Sequence, residues 1–103
     1  MKVVQTGKLI FETLEIKELL TAGSLRCGLA YFPPGSILPA EGTSRHEVDE
    51  FSYILEGRLS AFSGGETCEV GPGDLIYIQK GEEHSAAAVG IEPCRLIWFL
   101  VES

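Results

Sequence analysis

Positive charge is scarce in this chain. Eight lysines and arginines stand against fifteen aspartates and glutamates, a formal net charge of −7 and a pI near 4.7. The basic residues are scattered, so nothing offsets the repulsion that nucleic-acid phosphates would meet, and nucleic acid is excluded as a partner. Long apolar runs are missing too. The longest, Leu96 to Val101, falls far short of the roughly 20 residues that span a bilayer, so no membrane partner is expected. The opening MKVVQTGK carries no apolar stretch behind its lysine of the kind a secretion signal needs, which places the protein in the cytoplasm. Cysteine is limited to Cys27, Cys68 and Cys94. Three cannot all pair within one chain and none sits in a short zinc-type pair, so reduced thiols in or beside the core are expected. Convincing helical periodicity beyond two turns is also absent.

What the chain has in quantity is short apolar, β-branched and aromatic runs bounded by glycine and proline. The 103 residues suit one domain, with a core over about 25–101 and N-terminal strands within 1–24. In that N-terminal part the pattern is mixed: Val3-Val4, Leu9 to Phe11 and Leu14/Ile16 suit strands, whereas Ile16 to Leu20 suits a helical turn equally well. Leu25 to Phe32 reads as a strand stopped by Pro33-Pro34-Gly35, and Ser36 to Thr43 as a loop. Phe51 to Leu55, Arg58 to Phe62, Thr67 to Val70, Leu75 to Ile78, His84 to Val89 and Cys94 to Val101 follow, separated by Gly57, Ser63-Gly64-Gly65, Gly71-Pro72-Gly73-Asp74 and Lys80-Gly81. Eight or nine short strands at this spacing predict an all-β sandwich or barrel. Leu75 to Ile78, apolar at every position, suggests a strand covered on both faces.

The glycine-rich Gly71-Pro72-Gly73 is no phosphate cradle, because a strand pattern follows it where an anion-binding helix N-terminus would be needed. Arg58 and Lys80 are expected to be solvated. That leaves the two histidines, His46 and His84, each placed just ahead of or at the start of a strand. In an extended chain Ser44, His46 and Glu50 project to one side, so an imidazole and a carboxylate would share one wall, while Glu47 and Asp49 face away into solvent. Tyr53, Tyr77 and Trp98 are available to shape a pocket, although aromatics in barrel strands are more often core.

Order and spacing here resemble the cupin superfamily of small β-barrels. In the first cupin motif His46 takes the place of the second histidine, with three residues before Glu50 and six more before Gly57; in the second motif Gly73, Gly81 and His84 fall at the family's spacings. The departures are Ser44 in place of the first histidine, Leu38 in place of the leading glycine, Gln79 in place of proline and Ala88 in place of asparagine. The resemblance implies a double-stranded β-helix, the jelly-roll barrel. It implies a metal site of His46, Glu50 and His84, a set that iron, zinc, nickel and manganese accept. It implies a small-molecule substrate or ligand, and a homodimer that covers the second apolar face of the sheet. Two functions follow. One is a metal-dependent enzyme of dioxygenase, isomerase or lyase type acting on a small polar metabolite. The other is a non-catalytic ligand-binding or sensor module whose metal was lost with the histidine that Ser44 replaces.

Overall fold

The strand pattern closes into two antiparallel sheets in a computed structural model that describes residues 1–102. The strands are β1 (Glu15–Ala22), β2 (Leu25–Phe32), β3 (Ile37–Leu38), β4 (Asp49–Glu56), β5 (Arg58–Ser63), β6 (Glu66–Val70), β7 (Leu75–Ile78), β8 (His84–Val89) and β9 (Cys94–Val101). One sheet has the order β1-β2-β9-β4-β7 and the other β3-β8-β5-β6. The chain changes sheet at most of its connections, which is the winding of a jelly-roll barrel.

Alternation along each strand decides what lies between the sheets. On β9, Cys94, Leu96 and Trp98 are buried and Arg95, Ile97 and Phe99 point the other way. Register extends this across the sheet: Leu96 faces Ala30 and Ile54, and Trp98 faces Gly28 and Ser52. The four-stranded sheet answers with Leu59 and Val70, and the partly buried Ala86, Ala88 and Leu38 pack against them. Ile54, Leu59 and Cys94 are fully buried, and burying an aliphatic side chain the size of Ile54 or Leu59 contributes about 1.5–3 kcal/mol. Two glycines are required for closure. At Gly28 a Cβ would lie 2.5 Å from Trp98 Cζ2, so its absence lets the indole lie against β2. Gly57 turns β4 into β5 at φ +75°, and a Cβ there would come within 2.6 Å of Cys94 Cα.

Several expectations need amendment. Glu15–Ala22 is a strand, so the helical alternative for Ile16 to Leu20 does not hold, and Leu9 to Phe11 forms no strand. The loop before the ligand stretch contains the two-residue β3, too short to show a period. Leu75 to Ile78 is not covered on both faces. It is the edge strand of the five-stranded sheet, with Leu75 68% and Tyr77 55% exposed. Part of the outer face is covered by the N-terminal segment: Phe11 stacks on Tyr31 with ring centroids 5.6 Å apart, and the Arg95 guanidinium lies 5.7 Å from the Phe11 ring.

Candidate functional site

His46, Glu50 and His84 meet at one point. One donor atom from each lies within 4.8 Å of the others, and the two imidazole centroids are 4.8 Å apart. The route to this convergence differs from the extended wall the sequence suggests. In a regular strand, residues four apart are separated by about 13 Å, at about 3.3 Å per residue. Here β4 begins only at Asp49, the chain bends at Glu47 and Val48, and His46 Nε2 folds back to 3.2 Å from Glu50 Oε1.

Backbone pairing fixes the second histidine beside the first. Ser44 and His84 exchange hydrogen bonds, N to O, of 2.8 and 2.9 Å, and Gly81 N donates to His46 O at 2.8 Å. The position where a histidine is usual in the resembling family therefore lies next to His84, with a serine hydroxyl at the cavity wall. His84 Nδ1 is 3.2 Å from Glu82 O. A carbonyl oxygen only accepts, so Nδ1 donates in that contact, and in the neutral imidazole this tautomer leaves the Nε2 lone pair for an ion. The Glu82 side chain is itself held, accepting a hydrogen bond from Ser63 Oγ.

Asp49 faces away from the cluster as alternation requires, yet it is not simply solvated. Its Oδ1 accepts from Tyr77 Oη at 3.2 Å and from Lys80 N at 3.0 Å, tying the start of β4 to the turn that delivers His84. Arg58, expected in solvent, forms an exposed pair with Glu69 through Nε at 3.1 Å and Nη2 at 2.8 Å. Neither contact is recoverable from spacing, because both join residues distant in sequence.

The cluster stands at one end of a cavity of about 230 Å³ between the sheets. Glu50 belongs to the inward row, in register with Leu100 and Ile78, and its side chain is 17% exposed, against 40% for His46. A carboxylate so far removed from water needs a positive or hydrogen-bonding partner. The protein supplies His46 and, at the long limit of a hydrogen bond, Ser52 Oγ at 3.5 Å. Two imidazole nitrogens and this carboxylate are a donor set that borderline divalent ions accept, with bonds of about 2.0–2.2 Å that small side-chain adjustments can reach. The residues present thus fit a transition ion. Trp98 and Ser52 are among the wall residues that the motifs do not assign; their even spacing with Leu96 along β9 and with Glu50 along β4 is the available signal. Tyr53 and Tyr77 take no part in the cavity and lie on the outer face, 42% and 55% exposed.

The family model described as Cupin domain matches residues 28–100. Among solved structures, the Cnp3 cupin domain of Schizosaccharomyces pombe superposes with a TM-score of 0.86 at 17% identity, over 96% of this chain and 72% of that one. TT1209 from Thermus thermophilus gives 0.85 at 20% identity, over 99% and 98%. A Rhizobium leguminosarum protein of unknown function gives 0.82 at 24% identity, over 100% and 98%. No curated protein matches the chain. At these identities the structural likeness speaks for the fold alone.

Proposed function

Since the chain belongs to the cupin-domain family, we propose that it is a small cytoplasmic metal-binding cupin in which His46, Glu50 and His84 hold one divalent transition ion, Fe, Zn, Ni or Mn. The observation that carries this reading is the convergence of those three donors within 4.8 Å at the end of a cavity between the sheets. Its chemistry is that of a metal-dependent dioxygenase, isomerase or lyase acting on a small polar metabolite, whose polar group would be the part that reaches the ion. A bound ion supplies Lewis acidity toward a carbonyl and toward water. The chain's own contribution is positional. His84 presents Nε2 because Glu82 O holds the proton on Nδ1, and Glu50 brings a negative charge that favours a cation over a second anion. Ser52 Oγ is the hydroxyl next along β4 from the carboxylate, placed to orient what enters.

Ser44 supports a second reading. With a hydroxyl where the family usually has an imidazole, the site has one strong donor fewer, and a ligand-binding or sensor module without metal follows from that loss. Elemental analysis of protein purified without chelator separates the two. The metal reading expects near-stoichiometric iron, zinc, nickel or manganese, lost in His84→Ala, with tighter binding in Ser44→His. Absence of metal after reconstitution with each ion contradicts it and favours the metal-free module.

We also assign the outer face of the five-stranded sheet to a homodimer. Phe51 stacks on Tyr77 with centroids 4.9 Å apart, and Tyr53, Leu75, Ile97 and Phe99 continue that apolar surface in register. A surface of this kind is normally covered.

A further inference from the structure

Apart from the indole N–H of Trp98, the polar side chains that line the cavity gather at the end that carries the metal-type donors. Along β4 the inward side chains run Glu50, Ser52, Ile54, and along β8 they run His84, Ala86, Ala88. Two residues inward from each ligand, the wall therefore turns small or apolar. Level with Ser52 stand Ile76 and Trp98, whose indole Nε1 is buried without a hydrogen-bond partner among the described residues, and Phe32, Leu59 and Leu96 complete the wall. Among the described residues, no lysine or arginine lines the cavity. Away from the donors, the further charge of a phosphate ester or a dicarboxylate would be buried with no side-chain cation to offset it. A sugar would bury most of its hydroxyls against carbon, leaving them without partners. At about 230 Å³ the space exceeds the ~150 Å³ of an apolar protein cavity that admits benzene.

We propose that the occupant is a compound with a head of two neighbouring oxygens, neutral or singly negative, on an apolar body the size of one substituted ring or a branched alkyl group. The head half rests on the metal reading given above. The body half rests on the wall alone, so the two fail separately. Ala86 is the position where body and wall meet, because its methyl leaves room that a larger side chain would take.

The test uses zinc-loaded protein and two probes that share a metal-binding head, benzohydroxamic acid and acetohydroxamic acid, with binding read by calorimetry and by the fluorescence of Trp98, the only tryptophan. The phenyl compound should bind at least tenfold more tightly, and equal affinity overturns the proposal. In Ala86→Leu the preference should fall below twofold at unchanged zinc content, and a preserved preference contradicts the placement. Should that variant not fold, or should the protein take up no zinc, the metal-free wild type decides. Benzyl alcohol should then shift the NMR signals of Trp98, Ile76 and Ala86. Absence of those shifts, or larger ones from glucose 6-phosphate, overturns the apolar body. Benzyl alcohol shifts in a protein that takes up none of zinc, iron, nickel and manganese would leave the body half standing and remove the metal reading.

Discussion

The two faces of β4 meet fates opposite to their composition: the more apolar one is the one left exposed. Glu50, Ser52 and Ile54 turn inward, where Ile54 is fully buried and Glu50 joins the histidines. Phe51, Tyr53 and Leu55 turn outward, with Tyr53 42% and Leu55 40% exposed. Composition alone would bury the outward row. What decides is the sheet opposite: the inward row meets Leu59 and Ala88 across the barrel, whereas among the described residues the outward row has no facing sheet and only the N-terminal segment near its far side. Apolar character thus marks a face to be covered without saying by what.

The sharpest way to test that difference is to truncate one residue on each face. Ile54→Ala should cost about 2–5 kcal/mol, because it empties space in a closed core. Leu75→Ala, on the outer face, should stay within about 0.5 kcal/mol when measured by urea unfolding at high dilution. Equal losses would mean that the outer face is already packed within one chain.

A second comparison concerns what covers the outer face. Light scattering should give twice the chain mass for the wild type at micromolar concentration. Leu75→Asp, at an exposed position of the same face with no tie to the site, should shift it to one chain, leaving metal content intact. A wild-type monomer would contradict the homodimer and leave the surface to another partner.

The smallest expected effect contrasts two thiols. Cys68 is exposed and should react with iodoacetamide in the native protein, whereas Cys94, fully buried at the start of β9, should not. Burial, with Glu56 nearby adding to it, pushes the Cys94 thiol up to about 11 from its ordinary 9.0. The unfolded chain then loses this proton first. The contribution to stability is therefore whole below pH 9 and is lost as pH rises toward 11. Urea midpoints of the wild type should fall toward those of Cys94→Ala across that window, and a constant gap would show that the thiol does not titrate there.

Much of this fold is legible in the sequence because glycine and proline punctuate it. Leu25–Phe32, Leu75–Ile78, His84–Val89 and Cys94–Val101 have the ends that the turns predict. Strand β1 is ambiguous for a physical reason: EIKELLTA mixes charged and apolar residues in an order compatible with either period. The cupin fold is readable from the motif spacing, and so is the identity of the three candidate ligands. The bend at Glu47-Val48 is not, since alternation assumes an unbroken strand. Nor is the role of Asp49, which depends on Tyr77 and Lys80 arriving from another strand and turn.

Manganese(II) added to isotope-labelled protein tests the central claim most directly, because a paramagnetic ion broadens the NMR signals nearest to it. The signals of His46, Glu50 and His84, with those of neighbouring Ser44 and Ser52, should disappear at the lowest manganese-to-protein ratios, before those of Tyr77 and Leu75 on the outer face. Broadening that begins instead at the exposed Glu66 and Glu69, or spreads evenly over the acidic surface, would contradict a metal site at the end of the cavity.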